Sequence, residues 1–246
     1  MSHHCALAVQ DLSYAYPDGQ MALCGVSFVI QPGEVVGLIG SNGAGKSTLL
    51  LHLNGVLRPA SGAVRVQGLL VNAANLVAVR RQIGLVFQDP DDQLFMPTVQ
   101  EDVAFGPLNM GLPACDVAAR VTQALATVGA SHLASRAPYR LSSGEKRLVA
   151  MAGVLAMAPA LLVLDEPSAG LDPAARRRLI SLLTGFAHTR LIASHDLDLV
   201  QDVCTRVLVM REGVIEADGA PDDIFADTGL LARCHLEPPL SLQHKG

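Results

Sequence analysis

The sequence predicts an α/β fold, with a mixed β-sheet core covered by helices and interrupted by an inserted α-helical subdomain. Three observations predict it. Short runs rich in Val, Ile and Leu recur between Gly, Pro and Asn turns, and several are apolar on both faces, as strands buried under helices on each side should be. From about 98 to 157 the spacing becomes helical and no convincing strand is left. Half of the residues are hydrophobic, ample material for a core of this size.

In chain order, the first candidate strands are Ala6–Val9, Val26–Ile30 and Val35–Ile39. A helical run Thr48–Leu53 follows, closed by Asn54-Gly55, and then come the strands Ala63–Val66 and Ile83–Phe87. Thr98-Val99-Gln100-Glu101 has the T-x-x-E pattern of a capping box and should open a helix. Val117, Val121, Leu125 and Val128 share one helical face, which Gly129 ends. Leu148 to Leu164 is uncharged and mostly apolar. Its 17 residues fall short of the ~20 that span a bilayer, and Pro159 interrupts it, so it reads as a buried helix running into a buried strand. Strands Leu161–Leu164 and Leu191–Ala193 come next, and Val207–Met210 and Val214–Glu216 flank a hairpin turn at Arg211-Glu212-Gly213. The expected organisation is one domain over 1–246. Its core covers about 1–97 and 158–225, the helical subdomain about 98–157, and a short tail about 226–246.

Composition narrows the class. A net charge of −5 gives no basic field for nucleic acid, and Arg176–Arg178 reads as a solvated helix face. Five scattered cysteines, with no CxxC pair, suggest neither a disulfide framework nor a thiolate zinc site and fit a reducing cytoplasm. The first residues lack the basic start and apolar stretch of a signal peptide, and the His3-His4 pair reads as solvated.

The segment Gly40-Ser41-Asn42-Gly43-Ala44-Gly45-Lys46-Ser47-Thr48 matches G-x-x-x-x-G-K-[ST] between a strand and a helix, the context that motif requires. Its glycines let backbone N–H groups curl around phosphate oxygens, and the helix start adds a positive dipole end. Lys46 is placed to reach the β- and γ-phosphates of ATP, and the Ser47 hydroxyl is a hard oxygen ligand for Mg²⁺. Leu161–Leu164 ends in Asp165-Glu166, and two acids at a buried strand end are costly unless they have chemistry to perform. Asp165 suits Mg²⁺, and Glu166 suits a base that orients and deprotonates the attacking water.

With those motifs the chain resembles an ATP-binding-cassette (ABC) ATPase over roughly residues 6 to 225. Leu141-Ser142-Ser143-Gly144-Glu145 is similar to the family's LSGGQ signature, with Ser143 in place of Gly and Glu145 in place of Gln. Ser142–Glu145 is also a capping box that opens a helix, so its free N–H groups can face a phosphate. Gln88, after Ile83–Phe87, resembles the Q-loop glutamine and implies a further Mg²⁺ contact. Ser168-Ala169-Gly170-Leu171-Asp172 resembles the D-loop, and His195 the switch histidine. Tyr16, about thirty residues before Lys46, sits where the family usually has an aromatic that stacks on adenine, and Tyr14 competes for that role.

The resemblance implies a P-loop ABC fold and a dimer. ATP would lie between Tyr16, Gly40–Thr48, Gln88, Asp165, Glu166 and His195 of one subunit and Ser142, Ser143, Gly144 and Asp172 of the other; one chain supplies both halves, so a homodimer suffices. Val86–Phe95 with Met96–Pro107, the SSGEK version of the signature and Ala152–Met157 resemble the ATPase subunits of energy-coupling-factor importers, nearest to those for cobalt or nickel. Importers of a vitamin such as biotin are the alternative, and a soluble non-transport ABC ATPase stands further off, since Leu141 follows Gln88 by only 53 positions with no coiled-coil heptads between. The implied partners are an integral membrane coupling protein and a substrate-capture membrane protein. The implied location is the cytoplasmic face of the cell membrane, without contact with the transported substrate.

Overall fold

The computed structural model describes residues 5–186 and 188–243; the His3-His4 pair lies outside them. Strands β1 (Leu7–Ala15), β2 (Met21–Ile30), β4 (Ser61–Val66) and β5 (Leu69–Leu70) form an antiparallel sheet in the order β2-β1-β4-β5. A second sheet has the order β10-β9-β3-β8-β7-β6. It uses β3 (Val35–Ile39), β6 (Ile83–Val86), β7 (Leu161–Asp165), β8 (Thr189–Ala193), β9 (Arg206–Arg211) and β10 (Val214–Gly219). Its strands pair in parallel except at β9–β10, so this sheet is the mixed one that was expected.

The period-2 geometry of the strands divides the core into two layers. Ile39, Leu162, Leu164, Ile192, Val207 and Val209 face one hydrophobic cluster. Their neighbours Val36, Leu38, Leu161, Val163, Leu191, Leu208 and Met210 face another. The second layer lies under helix α1 (Lys46–Leu53) and the antiparallel sheet, with Val79 of helix α2 (Leu76–Gln82). The first lies under helices α3 (Val99–Asn109), α4 (Ala114–Thr127), α5 (Ser143–Leu155), α6 (Pro173–Gly185), α7 (Leu197–Val203), α8 (Pro221–Ala226) and α9 (Thr228–Arg233). At Gly37 in β3 an added Cβ would stand 2.7 Å from Val200 Cγ1, so glycine there lets α7 sit close on the sheet.

Helices α3, α4 and α5 lie between two strands, β6 and β7, that are adjacent in the sheet. The helical face Val117, Val121, Leu125 and Val128 is buried, and Gly129 ends it at φ 71°. Arg120 of α4 donates to the carbonyls of Ala156 and Met157 at the end of α5, which ties the two helices together. No helix among the described residues is long and apolar enough to cross a membrane.

Several expectations need correction. β1 and β2 extend well beyond the expected runs, because a bulge at Asp11 (φ 47°) lets β1 resume past the polar pair Gln10-Asp11. The hairpin turn is the two residues Glu212-Gly213, both at positive φ, and Arg211 still pairs with Val214. At Thr98 only half of the capping box forms: its hydroxyl oxygen accepts from the Glu101 N–H, but the Glu101 carboxylate accepts from the Thr98 hydroxyl at 2.6 Å rather than from the backbone N–H. Arg176 is no solvated bystander, since it forms a two-pronged ion pair with Asp196 at 2.6 and 2.7 Å.

Candidate functional site

The strand order explains why distant motifs meet. β3 leads into the phosphate loop, β8 into His195, β7 into Asp165-Glu166 and β6 into Gln88, and these four strands are consecutive and parallel. Their carboxyl ends therefore present all four groups along one edge. The loop itself is shaped by Gly43 (φ 81°) and Gly45 (φ 104°). At Gly45 an added Cβ would lie 2.5 Å from the Ala22 carbonyl oxygen, so β2 passes directly behind the loop. Lys46 is the first residue of α1; its ammonium is buried and donates to the carbonyls of Gly40 at 2.7 Å and Ser41 at 3.2 Å. Burial lowers its pKa, against the opposing pull of Glu166 and Asp165.

At the end of β7 the two acids differ. Burial raises the Asp165 pKa, opposed by a hydrogen bond from Ser47 and reinforced by the charge of Glu166. Its Oδ1 is buried without a hydrogen-bond partner among the described residues. A buried, unpaired carboxylate oxygen next to a serine hydroxyl is a hard-oxygen donor set that suits Mg²⁺. Glu166 adopts φ 46°, unusual for a residue with a Cβ, and is 6% exposed. Its Oε2 accepts from the Ser194 hydroxyl at 3.3 Å, the His195 N–H at 3.1 Å and His195 Nδ1 at 2.7 Å.

Tyr16, Gly40 to Thr48, Gln88, Glu166 and His195 line one cavity of about 640 Å³. The Tyr16 hydroxyl shares a 2.9 Å hydrogen bond with Thr48 Oγ1. Tyr14 is absent from that lining; it stands edge-on to His52 and packs against the core. Of the two tyrosines, Tyr16 is the one that lines this cavity. Gln20, Met21, Ala22, His235 and Leu236 also line the cavity and were not read from the sequence. His235 arrives through a turn after α9, in which its N–H bonds Ala232 O and the Leu236 N–H bonds Leu231 O, with His235 at φ 55°. A left-handed residue that is neither Gly nor Asn leaves no mark in the sequence.

Ser142, Ser143, Gly144 and Asp172 do not join them. They line a separate cavity of about 380 Å³ between α5 and the start of α6. The capping box at Ser142 is complete: Glu145 accepts from the Ser142 N–H at 2.8 Å and hydroxyl at 2.9 Å, contacts that hold its carboxyl below the usual range. The Glu145 charge is thereby turned back on the helix start. Asp172 caps α6 through the N–H groups of Ala174 and Ala175, both at 2.8 Å. Between the two groups stands a residue that sequence reading missed. Arg147 of α5 is buried and donates to the backbone carbonyls of Glu166, Gln88 and Ala169.

The comparisons agree with this architecture. Residues 23–169 match the family described as ABC transporter. The chain is 58% identical over 243 residues (99% of this chain, 97% of the other) to a Geobacter sulfurreducens protein named as an ABC transporter ATP-binding protein. It is 48% identical over 238 residues to the energy-coupling factor transporter ATP-binding protein EcfA of Methanothermobacter thermautotrophicus, covering 95% of this chain and 76% of that one. Among solved structures, cbiO1 from Clostridium perfringens, part of the ABC transporter complex cbiONQ, superposes with TM-score 0.83 at 41% identity over 94% of each chain. A dimeric ATP-binding cassette in a post-hydrolysis state, bound to ADP and Pi, superposes with TM-score 0.78 at 25% identity, covering 87% of this chain and 98% of that one.

The chain belongs to the ABC transporter family. Within it, the chain is an ATPase of the energy-coupling-factor type.

Proposed function

We propose that this chain binds Mg²⁺ and ATP and hydrolyses the nucleotide at the interface of a homodimer. The observation that carries the reading is the division of the site. The phosphate loop, Gln88, Glu166 and His195 share one cavity, while Ser142, Ser143, Gly144 and Asp172 line another on the same chain. A second copy turned about a two-fold axis would bring each half to its complement. Tyr16 would stack on the base, and the N–H groups of the Gly40–Thr48 loop with Lys46 would hold the phosphates. Ser47, Asp165 and Gln88 would hold Mg²⁺, which neutralises charge on the phosphate oxygens when bound. Glu166 would accept the proton of the attacking water, and His195 would hold the Glu166 carboxylate in place. Likeness to a dimeric cassette holding ADP and Pi supports the pairing.

Residues 98–157 act as a helical subdomain that receives a membrane partner, and the subunit sits peripherally at the cytoplasmic face of the membrane. The partners are an integral coupling protein and a substrate-capture protein, which handles the cargo without its touching this chain. The cargo is cobalt or nickel, a reading supported by the resemblance of Val86–Pro107 to the ATPase subunits of cobalt or nickel importers. Likeness to proteins named energy-coupling factor transporter ATP-binding protein EcfA supports the importer class without a cargo, and a vitamin such as biotin is the second reading.

The test is Glu166→Gln. The amide fits the same space but does not accept the proton, so kcat should fall by ~10²–10⁴ while ATP affinity stays. Light scattering should then find an ATP-dependent dimer. Turnover near wild type, or a monomer saturated with ATP, would defeat the reading. Uptake by cells carrying the whole importer, with cobalt, nickel and biotin as competitors, decides the cargo.

A further inference from the structure

Among the described residues, Arg147 is a buried cation whose hydrogen bonds go only to neutral groups. It is 6% exposed, and its Nη1 donates to the Glu166 carbonyl at 2.7 Å. Its Nη2 donates to the carbonyls of Gln88 at 3.1 Å and Ala169 at 3.0 Å, while Nε is buried without a partner. Burial lowers its pKa, with Asp89 and Glu166 opposing. A guanidinium kept in such a place is expensive, and an apolar side chain would fill the volume with less cost. What an apolar residue cannot do is donate at once to the Gln88 carbonyl after β6 and to the Glu166 and Ala169 carbonyls of the turn after β7. Lysine cannot do it either, because its donors radiate from a single atom.

The two segments are ones the proposed chemistry uses. Glu166 follows β7, Gln88 follows β6, and Ala169 lies in the loop that leads to Asp172 and α6. Arg147 lies on α5, five positions after Ser142, and lines both the cavity of Ser142–Gly144 and the one that contains Gln88 and Asp165. The backbone of Glu166 needs outside support, since its left-handed φ of 46° is disfavoured for a residue with a Cβ. The Glu166 N–H is held by the Ala193 carbonyl at 2.8 Å, and its C=O accepts from Arg147 at 2.7 Å and from the Ala169 N–H at 3.1 Å. The anchors come from the core sheet, from the helical segment and from the turn that Glu166 itself opens.

We infer that Arg147 is a positioning residue, which makes the aim of Glu166 and the placement of Gln88 depend on how α5 is seated. The inference rests on Glu166 acting as the base. When α5 is in place, the carboxylate and the segment after β6 are locked in register with the Ser142 helix start. When α5 shifts, all three carbonyls lose their common donor together.

The test uses the purified chain with Arg147→Met, Arg147→Lys and Arg147→Ala. In each, kcat should fall roughly 10–100-fold, the size of effect that a misplaced catalytic group produces. The KM for ATP and the Kd for a fluorescent ATP analogue should stay within about threefold, because Arg147 does not line the cavity of the phosphate loop and Tyr16. Guanidinium ion at millimolar concentration should restore part of the kcat of Arg147→Ala, whose space is empty, and none of that of Arg147→Met, whose space is filled. Should Arg147→Ala not fold, the kcat-against-KM split in Arg147→Lys carries the test. Wild-type kcat in Arg147→Lys and Arg147→Met, or a rise in KM that matches the fall in kcat, would overturn the inference. Loss of hydrolysis in Glu166→Gln on the same day separates that outcome from failure of the site reading itself.

Discussion

His195 Nδ1 lies 2.7 Å from Glu166 Oε2, and the His195 N–H donates to the same oxygen at 3.1 Å. On the proposed reading Glu166 is the acceptor of both contacts, which makes Nδ1 the donor of this pair. The two side chains live in different surroundings: the imidazole is 62% exposed and the carboxyl 8%. On the proposed reading, the histidine holds one carboxylate oxygen so that the other is aimed. His195→Ala should lower kcat roughly tenfold or more, yet by less than the ~10²–10⁴ of losing the base itself. The KM for ATP should move little. Steady-state kinetics checks this, and a KM effect without a kcat effect would make His195 a binding residue.

Asp165 offers a prediction about stability that runs against activity. Burial raises its pKa above the unfolded value, so between the two values the folded state binds more protons than the unfolded one. The contribution to stability is therefore present at low pH and lost as pH rises through the folded pKa. At pH 7 to 8, without Mg²⁺, Asp165→Asn should raise Tm, by roughly 2–4 °C if the relief is about 1 kcal/mol. The gain should vanish below the ordinary carboxylate range. In the same variant Mg²⁺-dependent hydrolysis should collapse. Thermal melts at two pH values, each with and without Mg²⁺, decide it; a destabilised variant at pH 8 would contradict the sign.

How much of this was legible beforehand depended on whether the signal was local. The phosphate loop is written in nine consecutive residues, and Asp165-Glu166 announces itself as acids ending an apolar strand. Helix α2 has seven residues with only Val79 buried, so no periodicity marks it, and β5 has two. Lys146-Arg147 reads as an ordinary basic pair on a helix start, yet Lys146 turns outward to pair with Asp91 at 2.6 Å while Arg147 turns inward. Asp102 shows the same blindness. In sequence it is one more acid near Glu101; in the fold it is 8% exposed and accepts from the Phe95 and Met96 N–H groups. Which of two like neighbours is buried is decided by tertiary packing, which no window of sequence contains.

Tyr16 should matter to nucleotide affinity and Tyr14 should not. Stacking of a base on an aromatic ring contributes about 1–3 kcal/mol when tested by alanine substitution, or roughly 5–150-fold in Kd. Tyr16→Ala should weaken ATP binding on that scale, and Tyr16→Phe should lose only the contribution of the Thr48 hydrogen bond. Tyr14→Ala should act on Tm instead, since that ring packs against His52 and the core. Titration of the three variants with a fluorescent ATP analogue checks the assignment, and equal losses at the two tyrosines would undo it.

The two-chain site can be tested by complementation. Lys46→Ala removes the phosphate lysine, and Ser142→Arg blocks the helix start that would face the partner's nucleotide. Neither variant alone should hydrolyse ATP. Mixed, they form heterodimers in which one of the two sites pairs an intact phosphate loop with an intact Ser142–Gly144, so activity should return to at most half of the wild-type rate per dimer. An inactive mixture in which heterodimers are demonstrated would indicate that both sites must fire together. Full activity in either variant alone would dispose of the composite site.

The last prediction concerns the surface beside Gln88, where a membrane partner would dock. Phe95 is 63% exposed and Phe105 42%; their rings meet edge to face at 4.8 Å. With Phe87, Leu94 and Met157 they line a groove of about 300 Å³. Two exposed aromatic rings over a groove form an apolar surface suited to a helix. The acids nearby divide into two kinds. Asp102 faces inward, holding the backbone of residues 95 and 96, and Asp91 is already paired with Lys146, which leaves Asp89, Asp92 and Glu101 as the rim. Exposed rim pairs contribute about 0–1 kcal/mol each, whereas truncating a seated aromatic anchor costs about 2 kcal/mol or more, some 30-fold in affinity. Phe95→Ala should therefore weaken assembly with the coupling protein or abolish transport, while ATP binding by the isolated subunit stays intact, because Phe95 is absent from the nucleotide cavity. Asp102→Ala should instead disturb the local fold by freeing two backbone N–H groups. Co-purification of the membrane complex and ATP titration of the free subunit separate these effects. Normal assembly and transport in Phe95→Ala, Asp92→Lys and Glu101→Lys alike would move the docking surface elsewhere on the molecule.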